Sequence, residues 1–170
     1  MVRSACAAAI VAAIVTAGCA SNVDLKSALQ VTDVSAGWHD AGIVEGKNKI
    51  VPSITFRLRK NTDASLSPLA LNVVFKRLAA PAPSGQAPSG PAEEDWDEIY
   101  VASVTFKGNE TDPLTVVSAT GYTGDPPQSR ADMLRHSQFR DMRVRLFARH
   151  GSAQWAELGQ YDVPRQLLPR

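Results

Sequence analysis

The chain has 170 residues, with 18 Lys and Arg against 17 Asp and Glu, so its formal net charge is +1. A charge so close to balance offers no general attraction for nucleic acid, and we expect no nucleic-acid partner. The two cysteines, Cys6 and Cys19, both lie near the N-terminus, which excludes a disulfide or a thiolate metal site in the remainder of the chain.

The first 18 residues have the pattern of a secretory signal. One cation, Arg3, precedes an apolar run from Ala5 to Val15, as in the n-region and h-region of such signals. The small residues Thr16, Ala17 and Gly18 then lead directly to Cys19. The stretch from Val15 to Cys19 resembles the lipobox of bacterial lipoproteins, with Thr16 standing where that family usually has Leu.

The lipobox resemblance implies that Cys19 is acylated, becomes the mature N-terminus and anchors the protein to a lipid bilayer. Ordinary export, with cleavage near the same place, is the alternative. Ala20 and Ser21 follow the cysteine. Lipoproteins kept in the inner membrane often have Asp beside the cysteine, so the resemblance implies the periplasmic face of the outer membrane if the source is Gram-negative.

Residues 19–28 are predicted to form a membrane tether, and residues 29–170 a single domain of ordinary size. Within that domain, residues 79–92 are rich in Pro, Gly and Ala, a composition typical of segments that pack poorly. An interdomain linker is the alternative, but the chain before it holds too few strands to close a core. The sequence therefore predicts a flexible loop within one domain.

Strands are predicted first at Leu29–Val34, after which glycines and polar residues break the period. Apolar and polar side chains then alternate over residues 54–59 and 69–76, the period of two expected of half-buried strands. These two runs predict neighbouring antiparallel strands over a shared apolar layer. A strand buried on both faces is predicted over residues 99–106, and another over residues 114–119.

The C-terminal third begins with Ser129, which can cap a short helix with Asp132 three residues later. Alternation from Met142 to Arg149 predicts an amphipathic strand, followed by a turn and a returning strand over residues 154–161. Seven or eight short strands and one short helix, after an N-terminal signal helix, are typical of an all-β fold. We predict an immunoglobulin-like antiparallel β-sandwich.

The run from Ile54 to Thr62, followed by residues 69–75, also resembles the immunoglobulin-like modules of FxLYD or water-stress (WHy) type found in small envelope lipoproteins. The resemblance covers residues 29–78. It implies a sandwich fold with a binding or scaffolding role, and it brings no catalytic residue.

Catalytic and metal-binding motifs are not evident. Neither G-x-S-x-G, S-x-x-K nor H-E-x-x-H occurs in the sequence. His39 and Asp40 with Glu45 are the nearest approach to a metal cluster, and the acidic run Glu93–Glu98 could hold calcium. A solvated surface explains both more simply. We therefore expect no metal, no cofactor and no enzymatic activity.

Two candidate binding surfaces follow from the strand pattern. Alternation places Arg57 and Arg59 on one strand face and Arg143, Arg145 and Arg149 on another. If those strands shared a sheet, they would form a basic stripe suited to phosphate or carboxylate groups, although an ordinary charged outer face is the alternative. Loops carrying Trp38 and Tyr122 are the second candidate, but Trp38 could equally plug one end of the core.

These features predict a membrane-anchored envelope lipoprotein that acts as a non-enzymatic binding or scaffolding module. Its partners would be the bilayer, through acylated Cys19, and an envelope protein or cell-wall component. The alternative is an accessory or ligand-binding subunit of an envelope transport or lipid-trafficking system, with its pocket between the sheets or loops.

Overall fold

The computed structural model describes residues 23–80 and 92–169. In chain order its elements are α1 (Leu25–Ala28), β1 (Leu29–Val44), β2 (Lys47–Lys60), β3 (Leu69–Leu78), β4 (Glu93–Val101), β5 (Phe106–Lys107), β6 (Glu110–Thr111), β7 (Leu114–Val117), β8 (Tyr122–Gly124), α2 (Arg130–Arg135), β9 (Met142–His150) and β10 (Ala156–Val163). The predicted signal segment, Cys19 and residues 81–91 of the predicted loop lie outside the described residues.

Two antiparallel sheets pack face to face. The first sheet contains β1 and β2 with the short strands β5 to β8, and the second has the strand order β10-β9-β3-β4. The predicted antiparallel sandwich is confirmed. Ten strands are present in the described ranges rather than seven or eight. The strand predicted over residues 114–119 is present as β7. The extra ones are β5, β6 and β8, of two or three residues each, too short to show a period.

The core lies between the sheets. Ile54 and Phe56 of β2 face Val73 and Phe75 of β3, and all four side chains are fully buried. They share one apolar layer, as predicted, but β3 pairs with β4 and β9 rather than with β2. The prediction of neighbouring strands was wrong because a period of two shows which face is buried, not which strand lies alongside.

β1 is one continuous strand of 16 residues, where the sequence predicted a strand at Leu29–Val34 followed by a break. Its register against β2 shifts between Thr32 and Ser35 and again between Asp40 and Ile43. At each shift β1 holds one residue more than β2, and Asp33 and Gly42 there have positive φ. Each bulge moves the side chains that follow it to the opposite face of the sheet, so the residues of β1 do not show one continuous period of two.

β4 lies at an edge of the second sheet and ends at Val101. The strand predicted over residues 99–106, buried on both faces, is therefore not formed. Val104 is buried instead as part of a loop, through a hydrogen bond of 2.9 Å from its N–H to the carbonyl of Leu69. An edge strand has one neighbour and an exposed face, so none of the residues of β4 is fully buried, and partly buried and exposed side chains alternate over residues 97–101.

α1 lies inside the segment predicted as a tether. Asp24 caps this helix by accepting a hydrogen bond of 3.1 Å from the N–H of Lys26, and Leu25 and Ala28 are buried. A single turn has too few residues to reveal a helical period, so the sequence did not predict it. Five residues lie between Cys19 and the first residue of α1.

α2 begins where the sequence predicted a helix. Ser129 and Asp132 form a reciprocal capping box, and Met133 and Leu134 are buried. The helix thus covers one end of the sandwich near β8 and β2.

Candidate functional site

The predicted arginine stripe is not formed. Arg57 and Arg59 lie on β2 in the first sheet, whereas Arg143, Arg145 and Arg149 lie on β9 in the second sheet. The outer faces of a sandwich point away from each other, so the two groups cannot act together. Alternation predicted the solvent-facing side of each strand but not the sheet that contains it.

The arginines of the first sheet are paired with acidic side chains. Arg57 lies 3.4 Å from Asp33 and donates a hydrogen bond of 2.9 Å to the carbonyl of Thr111. Arg59 lies 3.5 Å from Glu110. Exposed ion pairs of this kind contribute about 0 to 1 kcal/mol, but they leave no concentrated positive charge on this face.

The outer face of the second sheet presents three cross-strand rows. Read from β4 through β3 and β9 to β10, these rows are Tyr100-Asn72-Phe147-Glu157, Glu98-Val74-Arg145-Gln160 and Asp95-Lys76-Arg143-Asp162. Arg149 follows on β9, opposite Ala70. With Arg149 included, these rows carry four basic and four acidic side chains, and Glu93 at the end of β4 adds a further carboxylate beside Arg143, so the face is not basic.

Ion pairs connect the charges of this face. Arg143 lies 2.7 Å from Asp162 and 2.9 Å from Glu93. Arg145 donates two hydrogen bonds to Glu157, at 3.1 and 2.7 Å, and these lower the pKa of Glu157 below its usual range. Because both guanidinium groups are already engaged, neither is free to bind phosphate as a fork.

A groove of about 290 Å³ runs along this face. Its lining includes Asn72, Val74, Glu98, Arg145, Phe147 and Trp155. The indole of Trp155 meets the ring of Tyr100 edge-on, with 6.2 Å between centroids, and the guanidinium of Arg149 lies 4.6 Å from the Trp155 ring centroid. We name this surface the aromatic groove.

Trp155, Tyr100, Phe147, Asn72 and Glu98 were not among the candidate residues predicted from the sequence. Phe147 was detectable, because it alternates with the arginines on the polar side of β9 and is therefore an aromatic residue on an outer face. Trp155 was not predictable, because it lies in the loop before β10 and no side-chain period indicates which surface a loop residue joins.

Trp38 and Tyr122 belong to an aromatic cluster at one end of the core. Trp38 lies within β1 rather than in a loop and is fully buried, with its ring centroid 4.7 Å from that of Phe139 and 5.7 Å from that of Tyr122. Tyr122 also stacks on Trp96, with 5.5 Å between centroids. Trp38 therefore plugs the core, and it does not form a recognition loop with Tyr122.

Asp97 joins the two sheets at one edge. From β4 it accepts hydrogen bonds from the hydroxyl of Ser118 at 2.6 Å and from the N–H groups of Ala119 and Thr120 at 2.8 and 3.3 Å, just after β7 of the first sheet. Burial favours the neutral acid, but these hydrogen bonds outweigh it and hold the pKa of Asp97 below its usual range. The acidic run thus contributes a structural clamp.

We expect Asp97→Asn to lower the free energy of unfolding by about 1.5 kcal/mol at neutral pH, because hydrogen bonds to a charged acceptor are lost. A depressed pKa stabilises the fold above the ordinary pKa of aspartate, and this contribution disappears as pH falls through the folded-state value. The difference in the free energy of unfolding between wild type and Asp97→Asn, measured by urea titration, should therefore become smaller as the pH is lowered. Asp95→Asn, an exposed neighbour, is the control; a gap independent of pH would contradict the clamp.

The described part of the chain has neither a metal-binding cluster nor a membrane-spanning helix. Within residues 23–80 and 92–169, no group of three or more His, Cys, Asp and Glu side chains could hold a metal ion. His39 and Asp40 are adjacent on β1, and Asp40 instead pairs with Arg130 at 3.0 Å. No helix in the described part of the chain is both long and apolar enough to cross a bilayer.

The fold defines the class of protein: a disulfide-free antiparallel sandwich of two sheets, with an aromatic groove on one outer face. No protein-family model, curated protein or solved structure matches this chain. The resemblances to lipoproteins and to FxLYD or WHy modules therefore stay predictions.

Proposed function

We propose that this protein is a lipid-anchored lipoprotein of the bacterial envelope that acts as a non-enzymatic binding or scaffolding module. The observation that carries the proposal is the sequence from Arg3 to Cys19, in which a cation, an apolar run and small residues lead directly to Cys19. Acylation there would fix the domain at a membrane, at the periplasmic face of the outer membrane in a Gram-negative cell.

The position of α1 supports a domain held close to that membrane. Five residues separate Cys19 from Leu25, and a fully extended chain of that length reaches about 20 Å. Val23 and Leu25 line a depression of about 550 Å³ together with Ser152 and Trp155. The turn between β9 and β10 would therefore face the lipid surface beside the anchor.

The aromatic groove is the surface that best supports a binding role. Trp155 borders both this groove and the depression beside α1, so a partner in the groove would lie near the anchored end. The space between the sheets is filled by the buried apolar core, which gives no specific support to the alternative of a transport or lipid-trafficking subunit with its ligand between the sheets.

We expect mass spectrometry of the mature wild-type protein to find a diacylated Cys19 as its first residue, and the protein to require detergent for extraction from membranes. Cys19→Ala should remove the lipid and abolish maturation at this position, because the acyl group is attached to the thiol. Cys6→Ala, which changes the other cysteine within the predicted signal, is the matched control and should mature normally. A free thiol at Cys19, or release of the wild type by salt alone, would refute the anchor.

A further inference from the structure

The aromatic groove offers flat apolar surface. Phe147 and Trp155 line it, and Tyr100, which is 55% exposed, meets the Trp155 ring at 86°. Aromatic rings contribute large contact areas when a ligand covers them, since water is displaced from their faces. A ligand with a flat apolar side of its own would make the most of this surface.

Unsatisfied polar atoms lie beside those rings. The Oδ1 of Asn72 is a buried acceptor and the Nε of Arg149 a buried donor, and neither has a hydrogen-bond partner within the described residues. The side-chain amide of Asn72 donates a hydrogen bond to the carboxylate of Glu98, which fixes the orientation of the asparagine. Asn72 and Glu98 both line the groove, so a ligand that donates and accepts hydrogen bonds would pair with this amide and carboxylate.

The charges of this face favour a neutral ligand. Its basic side chains are matched by acidic ones, as in the pairs of Arg145 with Glu157 and of Lys76 with Asp95. A charged ligand of either sign would have to compete with these pairs, whereas a neutral one leaves them intact. The volume of about 290 Å³ is at the lower end for ligand pockets, which begin at about 300 Å³.

We propose that the aromatic groove binds a neutral saccharide, one or two pyranose rings of a glycan, in a role that rests on the proposed binding function. A pyranose ring has an apolar face of C–H groups that can cover Trp155, and each hydroxyl is both a donor and an acceptor. Its hydroxyl groups would hydrogen-bond with the side chains of Asn72 and Glu98, which line the groove. The position of Trp155 beside α1 places this glycan near the anchored end.

The test is isothermal titration of the full mature protein, extracted in a detergent without a sugar headgroup, with chitotetraose, cellotetraose and maltotetraose. At least one tetrasaccharide should bind, and Trp155→Ala and Asn72→Ala should each weaken it about tenfold or more. Phe106→Ala, an aromatic deletion on the first sheet, is the matched control and should bind like wild type. Thermal unfolding reports whether each variant is folded, and Asn72→Ala decides the test if Trp155→Ala is not.

The inference is overturned if none of the three tetrasaccharides binds, or if folded Trp155→Ala and Asn72→Ala bind as tightly as wild type. The same preparation is analysed for acylation of Cys19. Acylated protein that binds no saccharide would remove the glycan inference alone, whereas protein without the lipid would refute the anchoring on which the proposed function depends.

Discussion

Trp38→Ala is expected to lower the free energy of unfolding by about 4 kcal/mol, within the range found when a buried Trp or Phe is truncated. The indole is fully buried, and its removal would leave a cavity bounded by Phe139 and Tyr122. β1 and β2 hold the backbone on one side of that space, so the surroundings can collapse only partly. Urea unfolding followed by circular dichroism measures the loss.

Trp155→Ala is the matched control for this prediction, because it removes the same side chain from a partly exposed position in the loop before β10. We expect it to cost about 1 kcal/mol, since less area is removed from a buried environment. Equal shifts of the urea midpoint in the two variants would show that Trp38 is not the plug of the core.

Gly121→Ala should have the second largest effect, a loss of about 3 kcal/mol in the free energy of unfolding, at the upper end of what overpacking costs. A Cβ at this position would lie 2.1 Å from the carbonyl oxygen of Ile50 and 2.7 Å from Cγ1 of Val51. The first of these atoms is backbone of β2, which pairs with both β1 and β8 around this point. The variant must therefore shift β8 away from β2.

Gly159→Ala is the corresponding control. Its Cβ would meet atoms of the Tyr161 side chain, the nearest at 2.9 Å, and a side chain can rotate where a strand cannot move. We expect a change below about 1 kcal/mol, again from urea midpoints. If the two glycine variants were equally stable, the tight approach of residue 121 to β2 would be incorrect.

Elements with an uninterrupted pattern were predictable from the sequence. β2, β3 and β9 alternate without a bulge where the period was recognised, and Ser129 with Asp132 marks the start of α2. β1 was not predictable as one strand, because two bulges change the side that its residues face. The single turn of α1 and the short strands β5, β6 and β8 contain too few residues to carry a period.

The candidate site was only partly predictable for a related reason. Arg143, Arg145 and Arg149 were correctly expected to share one face of a strand, but Arg57 and Arg59 belong to the other sheet. Two acidic partners, Glu157 and Asp162, come from β10, the next strand along the chain, whereas Glu93 comes from β4, 50 residues before Arg143. The hairpin of β9 and β10 was predictable, but the pairing with Glu93 depends on a strand order that local sequence does not specify.

The sequence by itself determined the exported-lipoprotein hypothesis, the absence of cysteines beyond Cys19 and the alternation that makes an antiparallel sandwich, because each depends on residues close together in the chain. Tertiary structure alone decided which strands are neighbours, that Trp38 is buried, and that Trp155, Tyr100 and Asn72 meet on one face. The physical reason is that the period of side chains along a strand determines which face of the sheet each residue occupies. The order of the strands is set instead by long-range hydrogen bonding and by closure of a common core.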